Sequence, residues 1–209
     1  INDKIARVCK MNMIIHDDGH TNVISTDALE NFEDIEKIHP KFEKDHFDLI
    51  LTNPPFGATI KRTEKDYLDK YKLGEDKPNQ KTEILFIERC IGFVKPKTGR
   101  IAIVLPDGIL TNSSLQNVRD FIMERCQILG VVSLPQFAFA HFGAGVKSSL
   151  VFLRRKGENE SIKDYPIFMS IAEHIGYDAT GRADAKNDLD TIFDEYNNFL
   201  KNPKNYAGI

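Results

Sequence analysis

Along most of the chain, short β-branched apolar runs alternate with segments whose apolar residues recur at helical spacing. Residues 3–15 bring Ile5, Val8, Cys9 and Met13 near one helical face, with Asn2 or Asp3 placed to cap it. Residues 22–26 form a short strand candidate, and 47–52 a second, which Asn53 and two prolines bring to an end. A strongly apolar helix is expected over 84–94, capped by Thr82 and ended by Pro96 and Gly99. Its apolar residues surround most of its circumference, so it should be covered on more than one side. Residues 100–106 are apolar at nearly every position, the pattern of a parallel strand covered on both faces. A helix over 114–125 follows, with Leu115, Val118, Phe121 and Ile122 on one face.

Strands are expected at 128–134 and 148–153, separated by a loop over 136–145 that carries Phe137, Phe139 and Phe142. A further strand at 166–171 precedes an amphipathic helix with Leu189, Ile192, Phe193, Tyr196 and Leu200. Residues 58–81 hold seven basic and five acidic side chains and no clear apolar face, the pattern of a solvated loop. The alternation predicts an α/β layered fold with a mostly parallel sheet. The two late strands joined by a loop predict an antiparallel hairpin at one edge. In open sheets of this kind ligands bind beyond the carboxyl ends of the strands, where the segment after Thr52 and the Asp107-Gly108 pair both lie.

Composition narrows the class. The 209 residues suffice for one sizeable core, and 28% charged with 41% hydrophobic residues is ordinary for a globular chain. No apolar run is long enough for a membrane span, and no charged-then-apolar leader opens the sequence. Without a starting methionine, the sequence reads as a fragment whose beginning lies upstream. Three widely spaced cysteines, two of them inside apolar helical stretches, fit a reduced, cytoplasmic setting. The six histidines form no ligand spacing with them, so no metal site is expected. The net charge of −3 argues against gripping nucleic acid by bulk electrostatics, though a partner subunit can supply phosphate contacts.

The segment Asn53-Pro54-Pro55-Phe56 carries the clearest chemistry. The Asn53 side-chain oxygen and the Pro54 carbonyl are two acceptors, and Pro55 contributes no N–H to compete for that carbonyl. Its ring also restricts Pro54 to extended geometry. Two such acceptors match the two N–H donors of an exocyclic amine such as adenine N6. They stabilise the pyramidal nitrogen of a methyl-transfer transition state more than the planar ground state. Phe56 offers a ring on which an extruded base can stack, a contact of roughly 1–3 kcal/mol. The same four residues also suit a rigid turn with Phe56 in the core.

The stretch Phe47-Asp48-Leu49-Ile50-Leu51-Thr52-Asn53-Pro54-Pro55-Phe56-Gly57 resembles the catalytic motif of amino-group methyltransferases. The form with Phe and Gly is similar to the modification (M) subunit of type I restriction-modification systems. Further segments resemble that family in order: Lys10-Met11-Asn12-Met13-Ile14-Ile15-His16, Asp27-Ala28-Leu29, 82–88, 99–108 and 142–149. The resemblance implies a Rossmann-like, S-adenosylmethionine-dependent methyltransferase fold that transfers a methyl group to adenine N6 in double-stranded DNA. Asn53, Pro54, Pro55 and Phe56 would be catalytic, with Asp27 and Asn53 facing the cofactor and no metal required. Asp27 also suits the cap of a following helix. Asp107 suits either the substrate side or a Pro-Asp-Gly turn, and Lys147 reads as solvent-facing.

The resemblance further implies two partners, a specificity subunit that reads sequence and a restriction subunit. The family's Gly-rich loop and the acidic residue ending its second strand have no counterpart here. Gly143-Ala144-Gly145 precedes a strand rather than opening a helix. The expectation is therefore an N-terminally truncated fold lacking its first two strands, with a partial catalytic domain at 1–155 and a C-terminal extension at 156–209. Such a chain is expected to be inactive alone and to hold cofactor weakly. Two other functions fit less of the pattern: methylation of protein glutamine or RNA, and an inert assembly module.

Overall fold

A computed structural model describes residues 3–19 and 21–203. The chain runs as α1 (Asp3–Ile15), α2 (Phe32–Ile38), β1 (Leu49–Thr52), β2 (Thr59–Lys61), β3 (Asn79–Lys81), α3 (Thr82–Phe93), β4 (Arg100–Pro106) and α4 (Asp107–Thr111). It continues as α5 (Gln116–Arg125), β5 (Cys126–Ser133), β6 (Ser148–Arg155), β7 (Phe168–Ile171), β8 (Ile175–Tyr177), β9 (Ala183–Asn187) and α6 (Leu189–Lys201).

The main sheet has the order β1-β4-β6-β5-β7. β1 pairs with β4 in parallel, Leu49 opposite Arg100 and Thr52 opposite Ile103, and β5 pairs with β7 in parallel. Only β6 runs against its neighbours. The predicted antiparallel pair exists but is not at the edge. β6 inserts between β4 and β5 and buries Val151 and Leu153 there, and β7 adds outside β5. Parallel strands β1 and β4 point their carboxyl ends the same way, β1 stopping at Thr52 opposite Ile103 and β4 running on to Pro106.

Helices α3 and α5 cover one face. Ile84, Ile87 and Ile91 from α3 and Val118 and Ile122 from α5 pack on Ile101, Ile103 and Leu105 of β4. α3 is covered on its other side as well, because Leu85 packs with Tyr67, Leu68 and Tyr71. On the second face, Ile192 and Phe199 of α6 pack with Val132 and Phe168. Phe193 and Leu200, expected on the apolar stripe of that helix, are exposed, and Phe199 takes the buried place.

Two other expectations are corrected. Residues 22–26 form no strand: a strand needs a partner ladder, and nothing among the described residues pairs with them. Ser25 instead donates its hydroxyl to the Asp3 carboxylate at 2.8 Å; Asn2, the alternative cap, lies outside the described residues. Residues 58–81 are no solvated loop. β2 and β3 pair as an antiparallel hairpin, and Tyr67, Leu68, Tyr71 and Leu73 are buried beneath it. Their spacing follows a short 3-10 turn at Asp66–Lys70, which hides the apolar face from a search at helical period. The hairpin of β8 and β9 gave no signal, because all of β9 is exposed.

Helix α1 forms over the predicted residues but buries none of them, so Cys9 is exposed. Cys90 and Cys126 are buried, and burial pushes both thiols up to about 12. No helix among the described residues is long and apolar enough to cross a membrane.

Candidate functional site

Asn53 leaves the carboxyl end of β1 with its side chain exposed. Pro54 is buried, Pro55 exposed and Phe56 half-buried, so the prolines hold the chain extended while the ring sits partly open. The Asn53 amide and the Pro54 carbonyl accept no hydrogen bond from the described residues. Gly57 then turns the chain at a φ of 79°, a region that glycine enters without steric cost, and β2 begins two residues later.

The segment is anchored from α3. Thr82 does not cap that helix; the N-cap position is Lys81, which makes no side-chain cap bond. The Thr82 hydroxyl instead donates to the Pro55 carbonyl at 3.0 Å, with the Ala58 carbonyl at 3.2 Å. Glu83, 3% exposed, accepts the Gly57 N–H at 3.2 Å. Sequence reasoning missed both roles. A Thr-Glu pair before an apolar run reads as first-turn helix chemistry, and the contacts span 26 and 27 residues.

Asp27 lies in a turn, not at a helix cap; the next helix starts at Phe32 behind Asn31. One carboxylate oxygen accepts the Leu29 N–H at 3.1 Å. The other accepts from Lys65 Nζ and the Tyr67 hydroxyl, both at 3.0 Å. Burial raises the pKa of this carboxyl, but those donors together outweigh it and hold it below its ordinary value. No hydrogen bond joins Asp27 to residues 53–56. The two are linked through the 58–81 segment, which leaves the Asn-Pro-Pro-Phe corner and returns to Asp27 with Lys65 and Tyr67.

At the neighbouring strand ends, Ser149 donates its hydroxyl to Asp107 at 2.8 Å, and the Asp107 N–H reaches the Lys147 carbonyl at 3.0 Å. Lys147 is not free in solvent: its ammonium bonds Ser133 Oγ at 2.9 Å and the Leu134 carbonyl. Phe137 and Phe139 pack into the core, whereas Phe142 is 73% exposed.

A methylase subunit of the type I restriction enzyme EcoEI from Escherichia coli is 32% identical over 109 residues, 52% of this chain and 21% of the relative. The corresponding MpnII subunit of Mycoplasma pneumoniae is 28% identical over 217 residues, 99% of this chain and 38% of the relative. The chain thus spans well under half the length of either. A type I restriction-modification methyltransferase subunit from Streptococcus thermophilus superposes with a TM-score of 0.66 at 21% identity, covering 97% of this chain and 40% of that one. The fold is the Rossmann-like one of S-adenosylmethionine-dependent methyltransferases. With the N-6 DNA methylase model matching residues 1–208 across this sheet and its Asn-Pro-Pro-Phe corner, the chain belongs to the N-6 DNA methylase family.

Proposed function

We propose that this chain forms the base-amine side of a DNA adenine-N6 methyltransferase, the modification subunit of a type I restriction-modification system. The observation that carries the reading is the pair of unengaged acceptors, Asn53 Oδ1 and the Pro54 carbonyl, in the segment that leaves the carboxyl end of β1. Each takes one N–H of an extruded adenine amine. As the nitrogen forms its new bond to carbon it becomes tetrahedral and cationic, and its N–H groups become stronger donors. The two oxygens then bind it more tightly than in the ground state, and one N–H proton leaves to solvent after transfer. Phe56 stacks on the base and keeps it out of the duplex.

S-adenosylmethionine would supply the methyl group from its sulfonium, the sulfur–methyl bond breaking as the nitrogen–carbon bond forms and the cofactor leaving as the neutral thioether. The described residues fit only part of it. Asp27, in its turn, keeps one acceptor lone pair for an adenine edge, and Asn53 follows the end of β1; no glycine-rich turn joins a strand to a helix among them. With a net charge of −3, duplex DNA is held mainly by partner subunits, one that reads sequence and one that cleaves. These are the partners that a type I system provides.

The test is made in the host, with the gene at its native length. Nucleosides from genomic DNA are measured by mass spectrometry in cells carrying the wild-type gene, no gene, or the Asn53→Ala variant. Wild-type cells should contain N6-methyladenine that both other strains lack. Unchanged DNA methylation with Asn53→Ala removes the amine-holding role, and methylated RNA or glutamine in place of adenine in DNA moves the substrate.

A further inference from the structure

Phe56 lies between two peptide groups, and both are held by consecutive residues of α3. The Pro55 carbonyl belongs to the peptide before it and accepts the Thr82 hydroxyl at 3.0 Å. The Gly57 N–H belongs to the peptide after it and donates to Glu83 at 3.2 Å. The Thr82 hydroxyl has a single proton and a second acceptor nearby, the Ala58 carbonyl at 3.2 Å. That carbonyl also takes the Thr82 backbone N–H at 3.0 Å, and Glu83 Oε2 lies farther off at 3.4 Å, so the Pro55 carbonyl is the nearest acceptor for the hydroxyl proton.

Peptide groups are planar, so fixing the plane on each side of one residue fixes its φ and ψ, and with them the direction of its Cα–Cβ bond. We infer that Thr82 and Glu83 are positioning residues that set the Phe56 ring for stacking on the target base. The inference rests on the reading of residues 53–56 as a base-amine site.

Burial gives the clamp its stiffness. Thr82 and Glu83 are 6% and 3% exposed, so water does not compete for their bonds. A carboxylate in that position is costly unless it is hydrogen-bonded, and the first turn of the 12-residue α3 lowers the cost through its unpaired N–H groups. The turn itself requires Gly57. A Cβ there would meet nothing within 4 Å, so the requirement is conformational and the space beside it is open.

The experiment uses the native protein with whatever subunits purify with it, a duplex carrying its genomic target for the rate, and the same duplex with 2-aminopurine, which has no 6-amine to methylate, at the target position for the emission. That probe brightens on leaving the base stack and dims when a ring stacks on it. Thr82→Val and Glu83→Ala should each lower kcat by up to about 100-fold, as a displacement of order 1 Å does, with the KM for S-adenosylmethionine unchanged. Both should also reproduce the emission change caused by Phe56→Ala. Adding Phe56→Ala to Glu83→Ala should cost little more than either alone, because both act through one ring. Thr82→Ser and Glu83→Gln, which keep the donor and an acceptor, should restore most of the activity. Circular dichroism identifies any variant that fails to fold, and the remaining substitution of the pair then decides.

Folded variants with wild-type emission, or strictly additive losses in the double variant, overturn the inference and leave the amine site intact. A wild-type protein that neither methylates DNA nor alters the probe overturns both.

Discussion

Asp27 shows how opposing forces on one side chain become a measurable property. Burial favours its neutral form, while the Leu29 N–H, Lys65 and the Tyr67 hydroxyl favour the carboxylate, and the donors win. A carboxyl whose pKa is lower folded than unfolded stabilises the fold above its unfolded value of 3.8; that contribution fades as pH falls through the folded value. The thermal midpoint of the wild-type protein should therefore fall as the pH drops below about 4. The Asp27→Asn variant should start lower at neutral pH and lose less over the same interval. Parallel calorimetric curves for the two proteins would mean that Asp27 is not held as described. The Asn53 and Pro54 acceptors are legible in the sequence because they stand side by side, whereas the donors that hold Asp27, Lys65 and Tyr67, lie 38 and 40 residues away. Thr82 and Glu83 were not legible as anchors, since their partners are local only once the sheet has formed.

Elements were readable where one chemical demand dominated. α3 is apolar because it is covered on two sides, and β4 is apolar where Ile101, Ile103 and Leu105 lie under the helices. Two segments misled for opposite reasons. Residues 22–26 have the composition of a strand but no partner ladder among the described residues, whereas 58–81 have the composition of a loop but carry buried anchors. Leu68 is fully buried, and Tyr71 donates its hydroxyl to the Leu29 carbonyl at 2.8 Å. The segment is thus a packed cover over α3 with its charges outward. Leu68→Ala should cost about 2–5 kcal/mol in urea unfolding, the usual range for a buried leucine. Trypsin should leave the wild-type segment largely uncut, despite its seven basic residues, and cut it readily in the variant. Rapid cleavage between Lys61 and Lys81 in the folded wild type would return this stretch to the status of a solvated loop.

At the scale of the molecule, Asn53 stands just past the carboxyl end of β1, while Asp27 stands in a turn outside the sheet, tied to Lys65 and Tyr67. β1 is the outer strand, with Leu49 and Leu51 54% and 72% exposed, so the sheet stays open on the side next to Asn53. On the proposed reading, the described residues would offer S-adenosylmethionine the spare acceptor of Asp27, a charge-assisted hydrogen bond of roughly 1.5–3 kcal/mol, and the exposed Asn53 amide. Association itself costs an estimated 4–15 kcal/mol in lost translational and rotational freedom. One or two polar contacts on an open surface do not offset that, so the isolated chain should bind the cofactor with a Kd weaker than about 1 mM. Isothermal titration on the 209-residue chain provides the measurement. Stoichiometric binding in the micromolar range would show that the open end of this sheet closes around the cofactor with residues whose present arrangement gives no sign of it.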